Sequence, residues 1–341
     1  MKDTARTIRA GGLELDNPLW LAPLAGVTMP PVRAFFSRLG AGLTHTEMVS
    51  CAGLTHGNRK TGGMLRVLPD EGTVVLQLFA GDAGTAREGA EAALSAADAA
   101  NADAGAAKRP PFAALGINMA CPMPKVTKRG AGAALMDAPD TARAMTRALK
   151  ELNFPVWIKT RRAAAEADTL RFVEGLLEAG ADNVCIHGRT PAQRYEGRAD
   201  RAATVAAASR FPGKISASGD VRTTEDVLEY LGMGCVGVMA ARGALADPYL
   251  FPAALRKLGY GVPEESANPP LDRRLAHLRE LGERLGEVCG PRVAVVLLKR
   301  LLAGTLKGTE KMAQRRRRAA AAADFGGLMS ALLAEEPATL S

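Results

Sequence analysis

The sequence has few features of membrane, metal-binding or dinucleotide-binding proteins. None of its 341 residues lies in an apolar run approaching about 18 positions, and the N-terminus lacks a signal-peptide segment. We therefore expect a cytoplasmic protein with no membrane span. The five cysteines form no C-x-x-C pair, and no His/Cys/Asp cluster has metal-ligand spacing, which predicts reduced thiols and no metal. No G-x-G-x-x-G follows an apolar run, which weakens a Rossmann interpretation.

Positive charge is concentrated in one part of the chain. The formal net charge is +8, and residues 271–318 contain thirteen Lys/Arg against five Asp/Glu, so the remainder is nearly neutral. A basic segment on a neutral body indicates a polyanionic partner. The alternative is an ordinary solvated helical face.

Short apolar segments alternate with helix-length segments from residue 15 to about 255. The predicted strands are 19–23, 42–47, 73–79, 112–118, 156–159, 183–187, 214–217 and 235–240. Eight strand–helix units predict a (β/α)8 TIM barrel, with an open doubly wound sheet as the competitor. A breaker-rich stretch at 262–270 and three helical patterns follow. We predict a barrel domain at 1–258, a linker at 259–270 and a small, basic, all-helical domain at 271–341.

Polar or small residues stand at the carboxyl end of strand after strand. They are Pro23, Leu24, Ala25, Glu47, Gln77, Asn118, Cys121, Lys159, His187, Ser218, Gly219, Asp220, Ala241 and Arg242. In a barrel these ends converge on the face that carries the active site.

Cys121 follows a buried strand and precedes a loop containing Lys125 and Lys128. A thiol in that setting is placed for chemistry, for example as a general acid, although most lone cysteines only pack.

The last two strand ends resemble a phosphate site in composition. Small residues at 218–219 and 241, with Arg242, would admit backbone N–H groups and a guanidinium to a phosphate. Lys159, Gln77 and Asn118 could hold a planar ring above the barrel. This describes flavin mononucleotide (FMN), and a sugar-phosphate substrate would fit nearly as well. His187 could also be a hydrogen-bonded histidine at a strand end.

Several motifs, in order, resemble the tRNA-dihydrouridine synthases. They are APLAGVT at 22–28, TEMV at 46–49, VLQLF at 75–79, N-x-x-C-P at 118–122 with KV at 125–126 and GAGAAL at 130–135, K-x-R at 159–161, HGRT at 187–190, Y-x-G-x-A-D at 195–200 and RGAL at 242–245. The sequence departs from the family pattern at Ala120, Ser218 and Ala241, and at Arg201, where Trp is common.

The resemblance implies an FMN barrel with a helical RNA-binding domain that reduces the uracil C5=C6 bond in tRNA with NADPH. Hydride would reach C6 from reduced FMN, and Cys121 would protonate C5. Pro23, Leu24 and Ala25 would line the flavin, and Gln77 and Lys159 would bond its ring, with Asn118 beside them. The ribityl phosphate would lie among His187, Ser218, Gly219, Asp220, Ala241 and Arg242. The tRNA would contact Lys125, Lys128, Arg189, Tyr195, Arg315, Arg316, Arg317 and Arg318.

Two rival functions remain open at the level of sequence. One is an FMN barrel of the dihydroorotate-dehydrogenase type acting on a free pyrimidine, which does not need the basic tail. The other is a non-catalytic RNA-binding barrel, which does not need Cys121. We expect a monomer.

Overall fold

The computed structural model describes residues 7–102 and 111–334, and the chain forms two compact units. The first, here called the barrel unit, ends at Ala241, and the second, the helical unit, begins at Arg242. The predicted loop insertion at 101–110 lies almost wholly outside the described residues.

The barrel unit contains the strands. They are β1 (Ile8–Ala10), β2 (Leu13–Leu15), β3 (Leu19–Leu21), β4 (Thr44–His45), β5 (Val49–Ser50), β6 (Val74–Phe79), β7 (Ala114–Met119), β8 (Val156–Arg161), β9 (Asn183–His187), β10 (Ile215–Ser218) and β11 (Val238–Ala240). Its helices are α1 (Pro30–Arg38), α2 (Cys51–Thr55), α3 (Arg59–Gly62), α4 (Ala83–Ala102), α5 (Pro124–Thr127), α6 (Pro139–Lys150), α7 (Glu166–Glu178), α8 (Ala202–Arg210) and α9 (Thr224–Gly232). Two 3₁₀ segments occupy Gly63–Leu65 and Gly132–Asp137.

Eight strands form a parallel barrel, as the sequence predicts. Their order is β3-β11-β10-β9-β8-β7-β6-β4, and an isolated parallel bridge between Trp20 and Leu43 joins the two ends. β5 continues the second barrel strand along β6. All eight predicted strands are present, whereas the antiparallel hairpin β1–β2 was not predicted.

The floor of the barrel is apolar and aromatic. Trp20 and Trp157 pack with ring centroids 4.9 Å apart, and both are buried. The Trp157 Nε1–H donates to the Gly11 carbonyl oxygen (2.9 Å), which ties the β1–β2 turn to the floor. Gly11 has φ +55°, and a Cβ there would lie 2.6 Å from the indole, so this close approach requires glycine.

Replacing Trp157 tests the importance of this floor. We expect Trp157→Ala to lower the free energy of unfolding by about 3–5 kcal/mol, since it leaves a large cavity beside Trp20. Trp157→Phe keeps an aromatic ring and loses only the indole N–H, so its cost should be clearly smaller. Urea denaturation of both variants measures the difference; equal costs would contradict the packing account.

The helical unit consists of seven helices within the described residues. They are α10 (Arg242–Ala246), α11 (Leu250–Lys257), α12 (Glu264–Ala267), α13 (Leu271–Cys289), α14 (Pro291–Thr305), α15 (Met312–Ala320) and α16 (Phe325–Leu333). The three predicted C-terminal helices are present, and α16 was not predicted. α10 packs against α14 so closely that a Cβ at Gly304 would lie 2.0 Å from the Leu245 carbonyl oxygen. α10 is grouped with the helical unit, whereas the sequence predicts a barrel domain that extends to 258.

The segment predicted as a linker, 259–270, is folded against the rest of the helical unit. It contains α12, and the buried Arg274 side chain fastens its end. Arg274 donates to the Pro269 carbonyl (2.6 Å), to Asn268 Oδ1 (2.8 Å) and to the Thr305 carbonyl (3.0 Å). The glycine and proline residues of this segment give it an irregular backbone, and the hydrogen bonds of the Arg274 guanidinium hold the end of that backbone in place.

Candidate active site

The carboxyl ends of the eight parallel barrel strands lie at one face, and the sequence-predicted residues of the barrel unit lie there. Pro23, Leu24 and Ala25 follow β3; Gln77, Asn118 and Lys159 lie in β6, β7 and β8; His187 and Ser218 end β9 and β10; and Ala241 follows β11. Register pairs Asn118 with Lys159 and His187 with Ser218. Because side chains alternate along a strand, Trp157, Lys159 and Arg161 share one face of β8, from the floor to the mouth.

The loop that carries Cys121 is held by hydrogen bonds to its own backbone. Asn118 Oδ1 accepts from the N–H groups of Ala120 (3.2 Å) and Cys121 (2.9 Å). The Ala133 N–H donates to the Cys121 carbonyl (3.0 Å). Gly132 has φ +62°, and a Cβ there would lie 2.6 Å from the same carbonyl. The half-buried, free thiol is therefore presented on a fixed loop.

Asn118 positions other groups of the site, and its predicted contact with a cofactor stays a prediction. Its Nδ2 donates to Gln77 Oε1 (3.0 Å), and its Oδ1 already holds the Cys121 loop. Gln77 is buried and uses its carbonyl oxygen for Asn118, which leaves its NH₂ group turned away from Asn118.

Arg161 was not among the predicted site residues, although it stands two positions after Lys159 and so shares its face of β8. Its side chain is buried. Its Nε–H donates to the Ala120 carbonyl (2.7 Å), and Nη1 donates to the carbonyls of Thr190 (3.1 Å) and Arg194 (2.7 Å). The Tyr195 ring covers the guanidinium at 5.5 Å. One side chain thus joins the Cys121 loop to the loop after β9.

The interior beneath the mouth is rich in cations. Burial lowers the pKa of Lys159, and Arg161 lowers it further, while the thiols of Cys185 and Cys121 act in the opposite direction. Burial likewise lowers the pKa of Arg161, again opposed by Tyr195 and Cys121.

Two buried histidines are held neutral. Burial lowers the pKa of His45 to about 4, and the pKa of His187 to about 2 with further contributions from Lys159, Arg161 and Arg189. The His45 Nδ1–H donates to the Leu21 carbonyl (2.9 Å). His45 was not predicted as a site residue. It stands two residues before Glu47 on the predicted strand 42–47, so the alternation of side chains could have placed it on the same face.

Arg189 is buried, which corrects the prediction that it faces RNA. Its side chain is 1% exposed and donates to both carboxylate oxygens of Asp220 (2.9 and 2.8 Å). It also donates to the carbonyls of Glu196 (3.0 Å) and Gly197 (2.7 Å). Asp220 is correspondingly paired inside the protein: although burial raises its pKa, the Ala199 N–H and Arg189 lower it overall. Asp220 therefore pairs with Arg189, and its predicted role beside a phosphate stays a prediction.

The predicted RNA-contacting residues of the barrel unit differ from Arg189 in being exposed. Lys125 and Lys128 are exposed beside Cys121, and Tyr195 is 53% exposed on top of Arg161. Arg242 is the exposed first residue of α10 in the helical unit, so its phosphate role stays a prediction.

The four consecutive arginines of α15 divide into two pairs. Arg315 and Arg318 are half-buried and donate to the carbonyls of Leu332 and Ala334 at the end of α16. Arg316 and Arg317 are exposed. Arg316 and Arg317 make no such hydrogen bond to α16, and the contact of all four arginines with tRNA stays a prediction.

Two further features concern only residues 7–102 and 111–334. No three His, Cys, Asp or Glu side chains in this part of the chain are grouped so that they could hold a metal ion. None of its helices is long and apolar enough to cross a membrane.

Comparison with protein families supports the resemblance seen in the motifs. A family described as "Dihydrouridine synthase (Dus)" matches residues 20–335. The chain belongs to the dihydrouridine synthase family.

Individual relatives match most of the length of this chain. It is similar to tRNA-dihydrouridine synthase B of Vibrio cholerae, with 31% identity over 297 residues, 84% of this chain and 87% of the relative. It is 35% identical over 251 residues to a probable tRNA-dihydrouridine synthase of Rhodobacter capsulatus, covering 71% and 72%. A structure of TcOYE with pHBA shares the fold at a TM-score of 0.53 and 11% identity, covering 78% of this chain and 96% of the other.

The two buried histidines predict loss of stability in acid. Each is protonated in the unfolded chain below about pH 6.5 but stays neutral in the folded one, to about pH 4 for His45 and about pH 2 for His187. Stability therefore falls as the pH drops below 6.5, by about 2 kcal/mol per histidine between pH 7 and pH 5.

Urea denaturation at the two pH values measures this effect. His45→Asn or His187→Asn should each reduce the pH dependence by about that amount. An unaltered pH dependence in both site variants would show that these histidines are not held neutral.

Proposed function

We propose that this protein reduces the C5=C6 bond of uridines in tRNA to dihydrouridine, with FMN as cofactor and NADPH as reductant. The observation that carries the proposal is the free thiol of Cys121, presented on a fixed loop above a strand face that bears Lys159 and Arg161. The relatives that this chain matches over most of their length are named tRNA-dihydrouridine synthases, which supports tRNA as the substrate class.

The hydrogen-bonding groups of the mouth suit a flavin. Its ring presents mainly acceptor atoms, and three groups at the mouth could donate to it: the Gln77 NH₂, the Lys159 ammonium and one N–H of neutral His187. Gly219, at φ +110°, has no room for a Cβ, which would lie 2.7 Å from His187 Cδ2. The loop at 23–25, Ser218, Gly219 and Ala241 would line the rest, and Arg242 would bind the phosphate. When bound and reduced by NADPH, the flavin supplies a hydride for uracil C6.

Cys121 completes the reduction by giving a proton to C5. Its sulfur keeps the electron pair of the broken S–H bond, and solvent returns the proton afterwards. The cations of Lys159 and Arg161 interact favourably with the thiolate that remains. The fixed loop lets the S–H group point at one place in the site.

A stacked uridine cannot reach a site at the barrel mouth, so the base must turn out of its stack to be reduced. We propose that phosphate contacts from Lys125 and Lys128 and from Arg316 and Arg317 hold the RNA, and that Tyr195 contacts it beside Arg161. We also propose that the enzyme acts as a cytoplasmic monomer, with its five cysteines outside any disulfide.

Replacing Cys121 tests the proposed chemistry. We expect Cys121→Ala to keep its visible flavin absorbance but to reduce tRNA uridine about 10²–10⁴-fold more slowly, since the proton donor is gone. Single-turnover reduction of a tRNA transcript with dihydrouridine detection measures the rate. Cys289→Ala, in the helical unit, is the control and should match the wild type. Full activity of Cys121→Ala would exclude the acid role, and a protein that takes up no flavin would overturn the proposed function.

The α15 arginines provide a matched pair of double variants. Arg316→Ala with Arg317→Ala should leave the thermal unfolding curve unchanged but weaken tRNA binding and lower the slope of log K against log[salt] by about 2, one for each lost phosphate contact.

Arg315→Ala with Arg318→Ala removes the same charge but also the donors to the end of α16. This control should destabilise the helical unit by about 1–3 kcal/mol. If the first double variant binds tRNA with unchanged affinity and salt slope, the RNA contacts lie elsewhere.

A further inference from the structure

The buried Arg189 contacts His187 as well as Asp220. Its Nη1–H donates to His187 Nε2 at 3.4 Å, while Nη2 is shared among the Asp220 carboxylate and the Gly197 carbonyl, and Nε donates to Glu196. Acceptors on two loops therefore fix the plane of the guanidinium, and with it the direction of the N–H group that meets His187.

We propose that Arg189 is a positioning residue, which selects the Nδ1–H tautomer of His187 and so provides the donor that His187 offers to the cofactor. A guanidinium has only donors, so the nitrogen it meets must be unprotonated. A neutral imidazole carries one N–H, which then must be on Nδ1. The role of this donor rests on the proposed function, because the flavin is its acceptor.

The surroundings of His187 exclude the two ways in which the ring could escape this choice. Protonation of both nitrogens is opposed by burial and by the cations of Lys159, Arg161 and Arg189, which lower the His187 pKa to about 2 against the opposing charge of Asp220. Rotation of the ring is opposed by its close packing on the Gly219 backbone, where an added Cβ would lie 2.7 Å from Cδ2 and 3.2 Å from Nε2.

The other ring nitrogen has no protein partner among the described residues, since the only side-chain hydrogen bond of His187 is the one to Arg189. In the alternative tautomer, Nε2–H would face the Arg189 donor, and Nδ1 would present a lone pair to the acceptor atoms of a flavin. Arg189 thus determines whether His187 attracts or repels this ligand.

The tautomer can be observed directly in the full-length protein. With ¹⁵N-labelled histidine, a long-range ¹H–¹⁵N spectrum distinguishes protonated from unprotonated ring nitrogens. The chain has only four histidines, and the spectrum of His187→Asn identifies the missing signals. We expect Nδ1 protonated and Nε2 unprotonated at pH 7; the reverse pattern would overturn the proposal whether or not the protein reduces tRNA.

A double-mutant cycle tests the consequence for the cofactor. Arg189→Lys keeps the charge but lacks the fork that reaches both Asp220 and His187. We expect it to weaken FMN binding about fivefold to tenfold, the effect of one lost hydrogen bond, when FMN is titrated into the apoprotein by flavin fluorescence.

His187→Asn is the second arm of the cycle, because an asparagine amide places an N–H near the Nδ1 position and has no tautomers. In that background, Arg189→Lys should change FMN affinity less than twofold. Equal losses in both backgrounds, in variants with native circular dichroism, would show that Arg189 acts only on the fold. A protein that binds no FMN would overturn the proposed function and the cofactor half of this proposal, while the tautomer measurement still decides the other half.

Discussion

The active-site loops depend on the charge of Arg161, which lies buried near the barrel mouth. A guanidinium that water does not reach must be satisfied by protein acceptors, and here these are the carbonyls of Ala120, Thr190 and Arg194. Ala120 directly precedes Cys121, and Arg194 directly precedes Tyr195. The hydrogen bonds of the Arg161 guanidinium therefore fix the proposed proton donor and the exposed aromatic ring relative to each other. Asn118 adds a second fastening on the Cys121 side and joins that loop to Gln77. The preorganisation proposed for proton transfer follows from these bonds.

The mouth combines two buried cations, Arg161 and Arg189, and the half-buried Lys159 with histidines that stay neutral. Lys159, Arg161 and Arg189 keep His187 uncharged, and Asp220 is the carboxylate that balances Arg189. The positive charge of the mouth attracts an electron-rich ring or a phosphate, whereas it would repel a cationic ligand. The same charges explain why hydrogen-bond direction matters here: a neutral imidazole has one donor, and its neighbours decide on which nitrogen it lies.

Much of this architecture could be predicted from the sequence, because the eight apolar runs and the residues that end them are local signals. The direction and hydrogen-bond partner of each polar side chain could not be predicted, because they depend on contacts between residues that are distant in sequence. Arg189 was predicted from its motif to face the RNA, but its buried side chain donates to Asp220, 31 positions later. Asn118 was assigned to the cofactor, yet its amide is used by Gln77 and the Cys121 loop. The four arginines of α15 are equivalent in the sequence, but in the structure only Arg315 and Arg318 donate hydrogen bonds to the end of α16. Arg161 and His45 could have been found from the two-residue period of their strands.

Reduction of uridines in tRNA by this chain is tested most directly by mass spectrometry of nucleosides from mapped tRNA fragments. A strain that lacks this gene is compared with its parent and with the mutant complemented by the wild type or by Cys121→Ala. We expect dihydrouridine to disappear at defined positions in the mutant and to return only with the wild-type gene. Dihydrouridine unchanged at every position, in a strain with no other member of this family, would contradict it.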